Sequence, residues 1–328
     1  MFRPKNPDPD SHLAHIPIKG RSGIEVATSP YPFPNDPEES KRLDLQDFIL
    51  RRFLKSAVVA PIGPQPTPQA SGTGTGSWTN FVVGQIQLNH TANRLTAPQR
   101  ILDVGCGTGQ WAIEMARQFP QTTVVGIDIV TMASASKDVI VHPPNYHFQQ
   151  GNILQGLPFG DCTFDYVHMR FLSCGIPGHQ WQTVMNELVR LTAPGGWVES
   201  VESTTPSNSG PALAIVQAAL TRVLIARGVD LGCTRTIDSY MRQATAPLSA
   251  VQSRMLEIPI GIQGKAIGQH MAWNMLMVIT NMGYYFQQAG IFSREEWETL
   301  LKEVDTELYG TTYQPVLPLY VAIGQRQA

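Results

Sequence analysis

The stretch from Arg100 to Ala116, RILDVGCGTGQWAIEMA, constrains the fold more than any other part of the chain. A short apolar run, ILDV, leads into a loop carrying Asp103, Gly105, Gly107 and Gly109. A run with Ala112, Met115, Ala116 and Phe119 on one helical face follows. Strand, glycine turn and helix in this order bring a ligand against backbone at the carboxyl end of a parallel strand. The spacing is G-x-G-x-G. The dinucleotide fingerprint places its third glycine one position later, where this chain has Gln110. No G-K-[ST] follows, which excludes a nucleotide phosphate loop.

From Arg100 onward, strand-like and helix-like segments alternate. TVVGID, YHFQQGN, FDYVHM and WVESVE read as further strands. Trp181, Val184, Met185 and Leu188 mark a helix face closed by Pro194, Gly195 and Gly196. Such alternation implies right-handed crossovers and a parallel sheet covered on both faces. Residues 210–245 read as helix, MLEIPIG as a strand, 265–308 as more helix and VLPLYVAIG as a last strand. Before the loop, Asp36 suits an N-cap, Pro37 the first helical position, and Glu38 and Glu39 the positive helix end, predicting a helix over 37–55. Residues 1–30 read as an extended arm and 61–77 as a Pro then Gly/Ser/Thr linker. FVVGQIQL after it receives no assignment.

The strand ends carry polar residues in a consistent order. Asp103 can face an ammonium group through water. Asp128 closes TVVGID and can accept two ribose hydroxyls, a geometry that S-adenosylmethionine (SAM) and NAD share. Asn152 follows the next strand and can bond an adenine edge, with Ile129 and Ile153 as apolar walls. A glycine turn with no place for pyrophosphate, together with these three, favours SAM, whose amino-acid head, sulfonium and adenosine match them.

Composition narrows the rest. With 328 residues the chain is long enough for one large domain or two small ones. A net charge of −2 with no basic stripe argues against nucleic acid as partner. Cys106, Cys162, Cys174 and Cys233 form no C-x-x-C pair, and the histidines show no H-E-x-x-H spacing, so no metal site is expected. The first fifteen residues lack the apolar core of a signal peptide, and residues 271–286 fall short of a span. The expectation is a cytoplasmic protein without membrane contact. HPPNY at 142–146 reads as a loop, because it precedes the third strand.

Four segments, YPFPNDPEESKRLDLQ, ILDVGCGTGQWAIEMA, LPFGDCTFDYVHMRFL and LVRLTAPGGWVESVE, resemble class I SAM-dependent methyltransferases. The likeness is most specific to the methyltransferase-domain family that includes the fungal secondary-metabolism regulator LaeA and the UMTA-type enzymes. It implies an α/β, Rossmann-like sheet, mostly parallel with an antiparallel last strand, plus an N-terminal cap helix and helical lid insertions. It implies Asp103, Gly105, Gly107 and Gly109 around the amino-acid end of SAM, Asp128 at the ribose, and Asn152 with Ile153 at the adenine. His168 and Arg170 resemble pocket-edge residues, and Arg42 and Gln46 match the helix that closes over the cofactor. Residues 61–98 look like an insertion, and Asn152 stands where many relatives carry aspartate.

The resulting division is 1–98 for arm, cap helix and insertion, 99–205 for the SAM-binding core, and 206–328 for helical lid segments with the final strands. The sulfonium activates its own methyl group, so alignment of the acceptor supplies much of the rate. An acceptor of high pKa also needs a base, for which His168 at the sheet's carboxyl edge is the candidate, ahead of His179. The Met- and aromatic-rich stretch around Trp273, Tyr284 and Tyr285 is the expected wall for a small, apolar acceptor such as a natural product. Two other readings stand beside methyl transfer. One is SAM chemistry without methylation, by cyclisation, aminocarboxypropyl transfer or rearrangement; the other is a LaeA-like regulatory protein.

Overall fold

The computed structural model describes residues 30–62, 80–83, 86–89, 95, 98–130 and 142–328. The first helix, α1, spans Pro37–Leu54, and the Asp36 carboxylate accepts from the Glu39 amide at 2.9 Å, as the capping signal required. Lys55 ends it in the left-handed region. The segment left unassigned, FVVGQIQL, contributes a two-stranded antiparallel ladder, β1 (Asn80–Val83) with β2 (Ile86–Asn89). Most of the expected linker lies outside the described residues.

The core follows as β3 (Arg100–Val104), α2 (Gln110–Gln118), β4 (Thr123–Asp128), β5 (Tyr146–Gln150), β6 (Phe164–Arg170), α3 (Trp181–Leu191) and β7 (Thr192–Ser203). Then come α4 (Pro211–Ala226), α5 (Ile237–Arg242), β8 (Leu248–Pro259), α6 (Lys265–Gln288), α7 (Arg294–Tyr309) and β9 (Val316–Arg326). Seven strands form one sheet in the order β5-β4-β3-β6-β7-β9-β8. The ladders from β5 to β7 are parallel, and β9 runs antiparallel to both of its neighbours. The order reverses at β3, which starts the sheet centrally and sends the chain first to one side and then to the other. Ligands bind at such a switch point, beyond the carboxyl ends of the strands.

Side-chain alternation assigns the two faces. Ile101, Tyr166, Trp197 and Val321 bury one face against α1, α2, α4, α6 and α7. Leu102, Val167, Met169 and Val198 bury the other against α3 and α5. Two expected helices are each broken. Residues 210–245 divide at Gly228, whose φ of 78° ends α4, and a short turn of 3-10 helix, Leu231–Thr236, precedes α5. Residues 265–308 divide at Gly290, with φ 66°, and Ser293 opens α7 with a capping box to Glu296.

No single described helix is long and apolar enough to cross a membrane. The bent pair Pro211–Ala226 and Leu231–Arg242 passes that test together by length and composition only. Among the described residues, no group of three or more His, Cys, Asp or Glu side chains is placed to hold a metal ion.

Candidate cofactor site

The glycine loop joins β3 to α2. Gly105, Gly107 and Gly109 take φ values of 70°, 54° and 78°, all in the left-handed region that side chains disfavour. Space enforces the same choice. A methyl group on Gly105 would come within 2.5 Å of the Leu172 side chain, and one on Gly109 within 2.5 Å of the Tyr146 hydroxyl. The loop is tied to the strand beside it, because the Gly105 and Cys106 amides both donate to the Ile127 carbonyl. The Gly107 amide donates to Asp128 Oδ2 at 2.9 Å, and the Val130 amide donates to Asp128 Oδ1 at 3.2 Å. Burial pushes the Asp128 carboxyl up, and these backbone donors pull it back.

Asp103 and Asp128 therefore flank the loop from the ends of adjacent parallel strands. One carboxylate suits an ammonium group and the other a diol, and three of the loop positions between them, Gly105, Gly107 and Gly109, carry no side chain. A SAM molecule fits this donor and acceptor set. Asn152 stands at the end of β5 as expected, but its Oδ1 accepts from the Leu154 amide at 3.0 Å and caps the turn Ile153–Gln155. Ile129 and Ile153, which follow β4 and β5, are half-buried.

Helix α1 lies directly over the loop. Thr108 donates through Oγ1 to Asp44 Oδ1 at 2.6 Å, and Leu43 sits 3.4 Å from where a side chain on Gly107 would begin. Arg42 does not face an open site. Its Nε and Nη2 donate to Glu39 at 2.8 and 2.7 Å, and Nη1 donates to Gln46 Oε1 at 2.5 Å. Helix α6 secures the same turn, since Asn274 donates to the Arg42 carbonyl and Asn281 to Glu39 Oε2. Arg42 and Gln46 thus brace the cap helix from within, a role that the resemblance alone did not show. Arg170 is likewise engaged, donating through Nη2 to the buried Asp47 of α1 at 2.6 Å, and Asp47 also pairs with Arg51 at 2.7 Å.

His168 occupies a different place from the one expected of a base. It is 1% exposed, its Nδ1 lies 2.8 Å from Asp103 Oδ1, and its ring stacks on Trp111 at 3.8 Å and 8°. In register on β3 and β6, Asp103 and His168 share one sheet face, so the ring lies beneath the loop rather than at its mouth. A base at His168 would have to act from this buried position, with Nδ1 already engaged by Asp103.

The three residues expected to form an acceptor wall on α6 do not share one face. Trp273 is 57% exposed and Tyr284 51%, so both point to water, whereas Tyr285 is 3% exposed and carries Arg227 over its ring at 5.3 Å. The helix is apolar on most of its circumference, so the sequence could not tell which side faces the protein.

Two contributors went unnoticed in the sequence. Tyr31 packs against Gly175 and edge-on to Phe33. Burial, followed by the nearby Glu39, raises its phenol pKa, and Asp128 adds to the effect. Glu202, near the end of β7, is fully buried and accepts from the Leu172 and Ser173 amides. Burial pushes its carboxyl up to about 7. The signal for Glu202 was a charged residue inside the apolar strand WVESVE.

Comparison with known proteins agrees with this geometry. The family described as Methyltransferase domain matches residues 101–196, from β3 to the start of β7. Residues 101–196 are thus similar to a methyltransferase domain, and that match supports SAM as the cofactor. Methyltransferase str2 of Strobilurus tenacellus is 31% identical over 172 residues, covering 51% of this chain and 59% of that protein. The secondary metabolism regulator laeA of Coprinopsis cinerea is 39% identical over 104 residues, covering 32% of this chain and 24% of the relative. The matched region thus spans less than two thirds of either curated relative. Among solved structures, a Haemonchus contortus phosphoethanolamine N-methyltransferase 2 is 14% identical with a TM-score of 0.45, covering 72% of this chain and 51% of that one.

Proposed function

We propose that the protein transfers the methyl group of SAM to a small-molecule acceptor. The observation that carries this reading is the pair Asp103 and Asp128, set on adjacent strand ends around a loop of three left-handed glycines. Its similarity to str2, a methyltransferase, and to the secondary metabolism regulator laeA supports a place in secondary metabolism. When bound, SAM supplies a methyl group already activated by its sulfonium. The residues around it bind and orient. Asp103 takes the ammonium, Asp128 the ribose hydroxyls, Asn152 with Ile129 and Ile153 the adenine, and α1 with Tyr31 shuts water out. His168 acts here as a positioning residue that fixes the carboxylate plane of Asp103. Gly105, Gly107 and Gly109 give the closest backbone approach, Arg42 and Gln46 hold the cap helix, and Arg170 ties that helix to β6. In this reading residues 1–98 cover the site, 99–205 hold the cofactor, and 206–328 shape the acceptor side and complete the sheet.

The test is titration of the protein with SAM and S-adenosylhomocysteine by calorimetry, followed by product analysis with candidate natural-product acceptors. Binding with release of S-adenosylhomocysteine supports the reading. Binding with release of methylthioadenosine instead identifies transfer of the aminocarboxypropyl chain, and absence of SAM binding removes the proposal. The 39% identity to laeA favours one second reading, a regulatory protein that binds SAM. Tight SAM binding with no turnover on any acceptor, together with a stable protein complex, would favour it.

A further inference from the structure

The chain leaves β6 through a strained turn. Phe171 has φ 53°, in the left-handed region, and its amide donates to the Val201 carbonyl at 3.0 Å. A non-glycine residue in this region costs of order 1–3 kcal/mol and persists only when its surroundings hold it there. What holds this turn is Glu202. Its Oε1 accepts from the Leu172 amide at 3.0 Å and its Oε2 from the Ser173 amide at 2.9 Å. The carboxylate is 0% exposed, although isolated buried carboxylates are costly. An apolar residue at this position would leave both amides unsatisfied in the core.

The turn touches the cofactor site at two points. The Leu172 side chain fills the space where a Cβ on Gly105 would stand, with all three of its outer carbons within 2.8 Å of that position. At the other end, the place of a Cβ on Gly175 lies 3.8 Å from the Tyr31 ring. Leu172 is therefore a wedge under the first glycine of the loop, and its height is set by the hydrogen bond that its own amide makes to Glu202.

We propose that Glu202 is a positioning residue for the cofactor loop, holding the Phe171–Cys174 turn so that Leu172 supports Gly105 in its left-handed conformation. This rests on the reading of that loop as the SAM site. Glu202 touches neither the loop nor the space beside it; it acts through Leu172.

The experiment compares the full-length parent with Glu202→Gln, Leu172→Ala and the double variant. Gln keeps one acceptor oxygen and turns an NH2 group toward the other amide. Hydrogen–deuterium exchange on the ligand-free proteins should show faster exchange in Glu202→Gln at Leu172 and Ser173 and also across Gly105–Gly109. In Leu172→Ala it should be faster at the glycine loop only. SAM affinity by calorimetry should fall about 10-fold or more in Glu202→Gln, the loss of one hydrogen bond to a charged group. In the Leu172→Ala background the same change should have no further effect on SAM affinity. A cap that only holds the fold together would give additive losses and leave the loop's exchange at the parent's level, and either result overturns the proposal. If Glu202→Gln does not fold, Leu172→Ala decides alone, and parent-level exchange at Gly105–Gly109 overturns it. If the parent does not bind SAM, the cofactor reading fails, while the exchange measurements still decide the link from Glu202 to the loop.

Discussion

The Gly107 amide donates to Asp128 Oδ2 at 2.9 Å, so the residue proposed to offer a carboxylate to a ribose also fixes the middle of the glycine loop. Replacing Asp128 with Ala should therefore cost affinity twice, by removing the diol acceptor and by freeing Gly107. The expected loss is roughly 1.5–3 kcal/mol, or about 10- to 150-fold in SAM affinity. Calorimetric titration of the folded variant checks this, and an unchanged dissociation constant would reduce Asp128 to a loop tie.

His168→Ala should act on stability before it acts on chemistry. It leaves Asp103 unpaired in the core and Trp111 without its stacking partner. We expect a loss of about 2–4 kcal/mol in denaturant titration. The pH dependence of turnover should keep the parent's shape in a variant that still folds. Disappearance of one limb of that profile would identify His168 as a base.

Thr108→Val removes the hydrogen bond that latches the loop to Asp44 on α1 while keeping the side chain's shape. Loss of a partly buried hydrogen bond of about 1 kcal/mol should raise the SAM dissociation rate about fivefold and leave the association rate nearly unchanged. Stopped-flow displacement measures both. A faster association with an unchanged dissociation rate would mean that the latch obstructs entry rather than retaining the cofactor.

Glu202 makes stability depend on pH. Its carboxyl rises from an ordinary value of 4.5 to about 7 in the folded chain because it is buried. Protonation then favours the folded state. That contribution is fully present below about pH 4.5 and is lost as pH rises through about 7, with a size of the order of 3 kcal/mol. The stability of Glu202→Gln relative to the parent should therefore improve by a few kcal/mol between pH 5 and pH 8. A difference independent of pH would show that the carboxyl titrates near its ordinary value.

The two adjacent tyrosines of α6 should behave in opposite ways. Tyr285→Ala empties a buried site and should cost about 3–5 kcal/mol, whereas Tyr284→Ala and Trp273→Ala should stay within about 0.5 kcal/mol of the parent. Thermal melts of the three variants decide the facing of the helix.

What could be read from the sequence was local. Asp36 before Pro37, the three glycines after ILDV, and Asp128 at the end of TVVGID each act within a few residues of themselves, and each stands in the structure where its neighbourhood placed it. The contacts that define the rest of the site join residues far apart. Asp103 meets His168 across 65 residues, and Asp47 meets Arg170 across 123. Nothing in the spacing of either pair announces the other member. A histidine after a strand reads as an edge residue until the register shows which face it takes. The helix breaks at Gly228 and Gly290 were visible as glycines, and Ser293 with Glu296 formed a legible start signal. The apolar periodicity on both sides masked them, because a helical pattern continues across a single glycine.

The position of β9 between β7 and β8 has a consequence for how the chain comes to be folded. Residues 316–326 lie between the two flanking strands, so β8 is joined to the sheet only through them. During synthesis, β8 is made more than fifty residues before its partner and must wait as an unpaired segment until β9 arrives. A ribosome that stalled in that interval would hold a chain with an open β7 edge and an orphan strand, the form most prone to sticking to its neighbours. Removing β9 would likewise bare the β7 edge that β9 covers and leave β8 unpaired, so loss of residues 316–326 would be felt as misassembly on the side of the sheet away from the glycine loop.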